Sequence, residues 1–120
     1  MVRLLLILVI SLLFLGCSHT TEKYNERHYQ TILCDDLGGK MEYVLKDKTR
    51  VDCLTNEFAI EVDFAKKWAE SIGQSLHYAH MTDRQPAVAI IMDNAKDERY
   101  FKRLNALAEK YDIKIFVIDK

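Results

Sequence analysis

Apolar and polar positions alternate from Met41 through Tyr43 to Leu45, again through Val51, Cys53 and their polar neighbours, and a third time from Ala59 to Ala65. Side chains point to opposite faces at period two, so these stretches predict strands. In the third, Ile60, Val62 and Phe64 fall on one side, Glu61 and Asp63 on the other. Lys46-Asp47-Lys48-Thr49 and Asn56 supply the turns between them. Before the strands, Lys23 to Leu33 carries Tyr24, Arg27, His28, Tyr29 and Ile32 at helical spacing, and Gly38-Gly39 ends it. After them, Ala65, Trp68, Ala69, Ile72, Leu76 and Ala79 form one stripe at a period of ~3.6, the predicted core face of a second helix.

Val88-Ala89-Ile90-Ile91-Met92 is a continuous apolar run, as expected of a strand covered on both faces. Asp97 to Tyr111 predicts a third helix with Tyr100, Phe101, Leu104, Leu107, Ala108 and Tyr111 inward, and Ile113 to Ile118 a further buried strand. The expected order is helix, three meandering strands, helix, strand, helix, strand. That is an α/β domain with one mixed sheet and helices packed against it.

The chain has 120 residues, one proline and a net charge of -1, which suits a single small globular domain. Its first 16 residues read otherwise: Arg3 gives a positive start, an apolar run extends from Leu4 to Leu15, and Gly16 precedes Cys17. The run is shorter than the ~20 residues that span a bilayer as a helix, so it predicts an export signal over 1–16, a polar tether over 17–22 and the domain over 23–120. Beyond that signal two cysteines remain, Cys34 and Cys53. They are either a disulfide or two buried thiols.

Lys67, Ser71, Gln74 and Tyr78 share the polar side of the second helix. Lys67, in the first turn after the acidic strand, is placed to reach Glu61 and Asp63. Asp52, on the neighbouring strand, would share a sheet face with Glu61. Carboxylates from adjacent strands make the oxygen-rich setting that Mg²⁺ or Mn²⁺ prefers. An ion there with an amine beside it suits phosphodiester hydrolysis. His77 and His80 lie on one helical face with no third zinc ligand in register and read as surface histidines. Trp68 reads as core. Lys66 with Lys67, and Lys40, Lys46, Lys48 and Arg50, could follow a phosphate backbone or be an ordinary solvated surface, and the overall charge is not that of a strong DNA binder.

The order Asp52, Glu61-Val62-Asp63, Lys67 and Gln74-Ser75-Leu76-His77-Tyr78 resembles the PD-(D/E)XK nuclease superfamily, its RecB-like and resolvase-like branches in particular. The span from Glu26 to Tyr78 is similar to small uncharacterised bacterial proteins of that fold. The resemblance implies an αβββαβ restriction-endonuclease-like core, Asp52 and Glu61 as metal ligands, Gln74 and Tyr78 lining the site, and Glu26 as the acid of the first helix. Asp63 stands where the superfamily usually has lysine, and Lys67 would replace that lysine from the helix. Leu15-Gly16-Cys17 resembles a bacterial lipobox, which implies a lipid on Cys17 and a membrane-anchored, exported protein, with Ser18 suiting the outer membrane. Phe14 departs from that pattern and leaves simple cleavage or a retained signal open. Two functions follow: a Mg²⁺-dependent nuclease acting on nucleic acid, or a non-catalytic lipoprotein that uses the scaffold as a binding or structural module.

Overall fold

The computed structural model describes residues 24–120; the segments expected to be an export signal and a tether, with Cys17, lie outside the described residues. Asn25 opens α1 (Glu26–Asp36) by accepting a 3.1 Å hydrogen bond from the His28 amide, which satisfies a first-turn donor. Gly38, at φ +65°, closes it in a left-handed conformation, and the Gly39 amide donates back to the Cys34 carbonyl at 2.9 Å. A hairpin of β1 (Lys40–Val44) and β2 (Arg50–Leu54) follows, and then β3 (Phe58–Phe64). A 3₁₀ turn (Ala65–Lys67) runs directly into α2 (Trp68–Thr82). The chain continues as β4 (Gln85–Met92), a second 3₁₀ turn (Ala95–Asp97), α3 (Glu98–Tyr111) and β5 (Lys114–Asp119). The order is αβββαβ with a further helix and strand.

The five strands form one sheet in sequence order, β1 to β3 antiparallel and β3 to β5 parallel. The parallel half requires crossovers, and α2 and α3 provide them. Both pack on one face, where Trp68, Ile72, Leu104 and Ala108 meet Val88 and Ile90. On the other face lies α1, with Tyr29 and Cys34 against Ile60, Val62, Ala87, Ala89 and Ile91. Helices on both sides explain the unbroken apolar run of β4. Among the described residues no helix is long and apolar enough to cross a membrane.

Three sequence expectations are corrected. First, β5 is an edge strand with Val117 50 % exposed, and Tyr111 is exposed at the end of α3. Second, α1 runs Glu26–Asp36 rather than from Lys23, because Asn25 rather than an earlier residue caps it, and Ile32 faces solvent. Third, Ala69 and Leu76 of the predicted α2 core face are exposed, while Ser71, Ser75 and Tyr78 are buried. The difference arises because residues that line the inward face, Ser71, Ser75 and Tyr78, are polar, and a stripe drawn through apolar positions leaves them out. The serines are tolerated inside because their hydroxyls lie 2.9 Å from the carbonyls of Lys67 and Ile72 respectively.

Cys34 and Cys53 form a disulfide, with Cα atoms 5.6 Å apart, that ties α1 to β2. Gly39 crosses directly over it. A Cβ there would lie 2.5 Å from the sulfur of Cys53 and 2.9 Å from that of Cys34, so only glycine fits without displacement.

Candidate active site

The ladder between β2 and β3 is paired at Leu54 with Ala59 and at Cys53 with Ile60. Beyond it, the amide of Val62 donates to the side chain of Asp52 at 2.8 Å. The carboxylate takes the place of a main-chain acceptor, and the strands are free to part. Gln30 of α1, almost completely buried, supports the opening: its amide nitrogen donates to the Asp52 carbonyl and to Oε1 of Glu42, each at 2.8 Å. Glu42 sits mid-strand at φ 51°, an unusual conformation for a residue with a Cβ. Arg27 and Arg50 hold its carboxylate at 3.6 and 3.7 Å.

Four acids converge at this opening. Glu61 is 5 % exposed and within hydrogen-bonding reach of Asp52, yet no described donor reaches its buried Oε2. Desolvation, reinforced by the charges of Asp52 and Asp63, raises its pKa to about 10. Asp52 is also raised, mainly by burial, against the opposing hydrogen bond from Val62. Asp63, on the same face of β3, is 2 % exposed and pairs with the Lys67 ammonium at 3.2 Å. Glu26 reaches in from the start of α1, 3.8 Å from Lys67, and burial together with its hydrogen bond to Asp63 raises its pKa to about 7. The neighbouring Asp63 raises the pKa of Lys67 in turn.

The structure therefore brings together Glu26, Asp52, Glu61, Asp63 and Lys67. Ser71 adds a hydroxyl 3.1 Å from Asp63 Oδ2. Tyr78 packs its ring among Leu45, Val51, Leu54 and Ala59, and its phenol pKa is raised by burial and then by the charge of Glu61. Gln74 is half-buried one turn before it. His77 stands apart, 2.7 Å from Asp47 on the β1–β2 turn. Sequence reasoning missed Gln30 and Glu42, whose importance depends on a strand kink that no periodicity reveals.

Among the described residues, no group of three or more His, Cys, Asp or Glu side chains forms a ready cage for a metal ion. Two adjacent carboxyl groups are nevertheless what Mg²⁺ ordinarily takes from a protein, keeping waters and substrate oxygens for its other positions. The Asp52 and Glu61 pair matches that donor count, and the buried Oε2 of Glu61 has no hydrogen-bond donor among the described residues.

No family model matches the chain, and no solved structure does. It is similar to a protein of Acanthamoeba polyphaga mimivirus named for a KilA-N domain: 29 % identity over 110 residues, covering 91 % of this chain and 42 % of the viral protein. The chain thus spans less than half the length of that relative.

The raised acids set the pH dependence of folding. Above the ordinary carboxylate pKa of 4.5 the unfolded chain releases protons that folded Glu26 keeps up to about 7 and folded Glu61 up to about 10. The native state then binds more protons than the unfolded one, so stability falls as pH rises through those windows. Glu61→Gln keeps the shape and removes the titration. Urea unfolding is expected to show the variant more stable than wild type by a few kcal/mol at about pH 8, with a flatter decline. A decline as steep as that of wild type would show that Glu61 ionises normally.

Proposed function

We propose that the protein is a metal-dependent phosphodiester hydrolase acting on nucleic acid, with Asp52 and Glu61 as the ligands of a Mg²⁺ or Mn²⁺ ion. The observation that carries this is the buried Glu61 carboxyl, beside a second carboxyl and open to no donor, at a break in the sheet. When bound, a divalent cation would polarise the phosphoryl group and make an attacking water more acidic. The chain's own groups supply the rest. Val62 and Gln30 fix Asp52 from both its ends. Lys67, steadied by Asp63 and Glu26, can donate to a phosphate oxygen and offset charge that builds on it. Glu26, with a pKa near neutrality, is suited to accept or release a proton. Tyr78 and Gln74 close the α2 side.

A non-catalytic module built on the same scaffold is the second reading. The direction of Lys67 favours the enzyme: its ammonium turns into the acidic cluster rather than away from it. The similarity to the viral protein names no reaction and favours neither.

The same proposal places the protein outside the cytoplasm, anchored by a lipid on Cys17. The Cys34–Cys53 disulfide supports that address, because such bridges persist in oxidising compartments. Mass spectrometry of the mature N-terminal peptide is expected to find acylated Cys17; a peptide still beginning at Met1 would remove the anchor.

With Mg²⁺ or Mn²⁺, wild type is expected to cleave DNA or RNA, and Asp52→Asn and Glu61→Gln to lose at least ~100-fold of that rate while remaining folded. Lys67→Ala should reduce the rate comparably. A folded wild-type protein that cleaves no single- or double-stranded DNA or RNA with either metal would leave the binding-module reading.

A further inference from the structure

A second cluster lies next to the acidic opening and takes no part in it. Lys66, adjacent to Lys67 and exposed, lines a pocket of about 280 Å³ with Phe64, Ala65, Asn94 and two acids, Asp93 and Asp97, at the ends of β3 and β4. Beyond it comes half-buried Trp68, and the guanidinium of Arg103 from α3 sits 5.8 Å from the centre of that ring. Arg103 also lies 6.0 Å from the ring of Tyr100, and Arg99 covers the same ring at 4.6 Å while donating to its hydroxyl at 2.7 Å. Lys96, on the second 3₁₀ turn, and Lys102, on α3, are also exposed. None of the ion pairs among the described residues engages Lys66, Lys96, Arg99, Lys102 or Arg103. Glu70 and Glu98 are the exposed acids at the start of α2 and α3.

We infer that this strip, Lys66–Trp68–Arg103–Tyr100–Arg99, is a binding track for single-stranded nucleic acid leading to the acidic opening. Flat guanidinium and half-buried aromatic groups alternate along it, Trp68 and Tyr100 packing on the core from one side, and the surfaces left toward solvent can stack bases while the cations contact phosphates. A base inside a duplex cannot reach such faces, so the partner is an unpaired strand. The chain as a whole has a net charge of -1, so this local concentration of cations is not a consequence of a basic composition. Lys66 and Lys67 are consecutive in one 3₁₀ turn, so the track begins within one residue of the proposed hydrolytic site. Its role as a substrate path therefore rests on that function, whereas strand binding by the track does not.

Trp68 is the chain's single tryptophan, so its emission reports the track directly. The full chain, in EDTA, is titrated with a fluorescein-labelled oligothymidylate at several salt concentrations, following label anisotropy and Trp68 emission together. Binding is expected to quench Trp68. Arg99→Gln with Arg103→Gln should weaken it about tenfold or more, in line with the loss of one stacked contact, and lower the salt slope by ~0.7 for each phosphate contact removed. Arg103→Lys, which keeps the charge and drops the flat face, should weaken binding with the salt slope unchanged. Lys46→Gln with Lys48→Gln, on the distant β1–β2 turn, should leave affinity close to wild type. Absence of binding, binding with no change in Trp68 emission, or equal weakening in the arginine and lysine variants would overturn the proposal. Because no metal is present, binding without cleavage in a separate metal assay would keep the track and discard the nuclease, and cleavage without Trp68 quenching would do the reverse.

Discussion

Once the β2–β3 ladder has ended, the amide of Val62 needs another acceptor, and the carboxylate of Asp52 supplies it at 2.8 Å. Much of the site depends on that substitution of a side chain for a main-chain group. It fixes Asp52 against the strand that carries Glu61 and lets α1 approach from the far face with Glu26 and Gln30. It also permits a carboxyl to be buried where no described donor can satisfy it. An ionised carboxylate in that setting is costly, so a proton is retained or a cation is needed in its place. Stability and the proposed chemistry are opposed at Glu61: a group that makes folding harder as pH rises is the one proposed to hold a divalent ion.

The remaining charges are arranged to limit this cost. Lys67 compensates Asp63 and part of Glu26, and Arg27 and Arg50 compensate Glu42. What is left without a cation is the Asp52 and Glu61 pair. The disulfide between α1 and β2 lies under the same region and holds the two elements that Gln30 bridges. Gly39 is required there because the hairpin must pass over the sulfur atoms.

Period-two and period-3.6 patterns were sufficient for the element order, the split of β3 into apolar and acidic faces, and the double burial of β4. These depend on local sequence and on which residues must avoid water. The inward face of α2 was misread because Ser71, Ser75 and Tyr78 line it, and a pattern drawn through apolar residues passes over polar ones, here serines whose hydroxyls find partners inside the fold and a tyrosine. The edge position of β5 depends on strand order, and an apolar strand at an edge looks like one in the middle. At the site, Asp52, Glu61 and Asp63 were visible as charges on the polar side of alternating strands, and Lys67 as a charge at the start of the following helix. Gln30 and Glu42 were not, since one acts through a carbonyl far along the chain and the other through a left-handed strand residue.

The most direct measurement is calorimetric titration of Mn²⁺ into the full chain near neutral pH, repeated in buffers of different ionisation enthalpy. Displacement of the proton held by the Asp52 and Glu61 pair predicts one saturable ion per chain, with about one proton released on binding. No saturable heat, or binding with no proton release, would contradict the assignment of this pair as the ion's ligands.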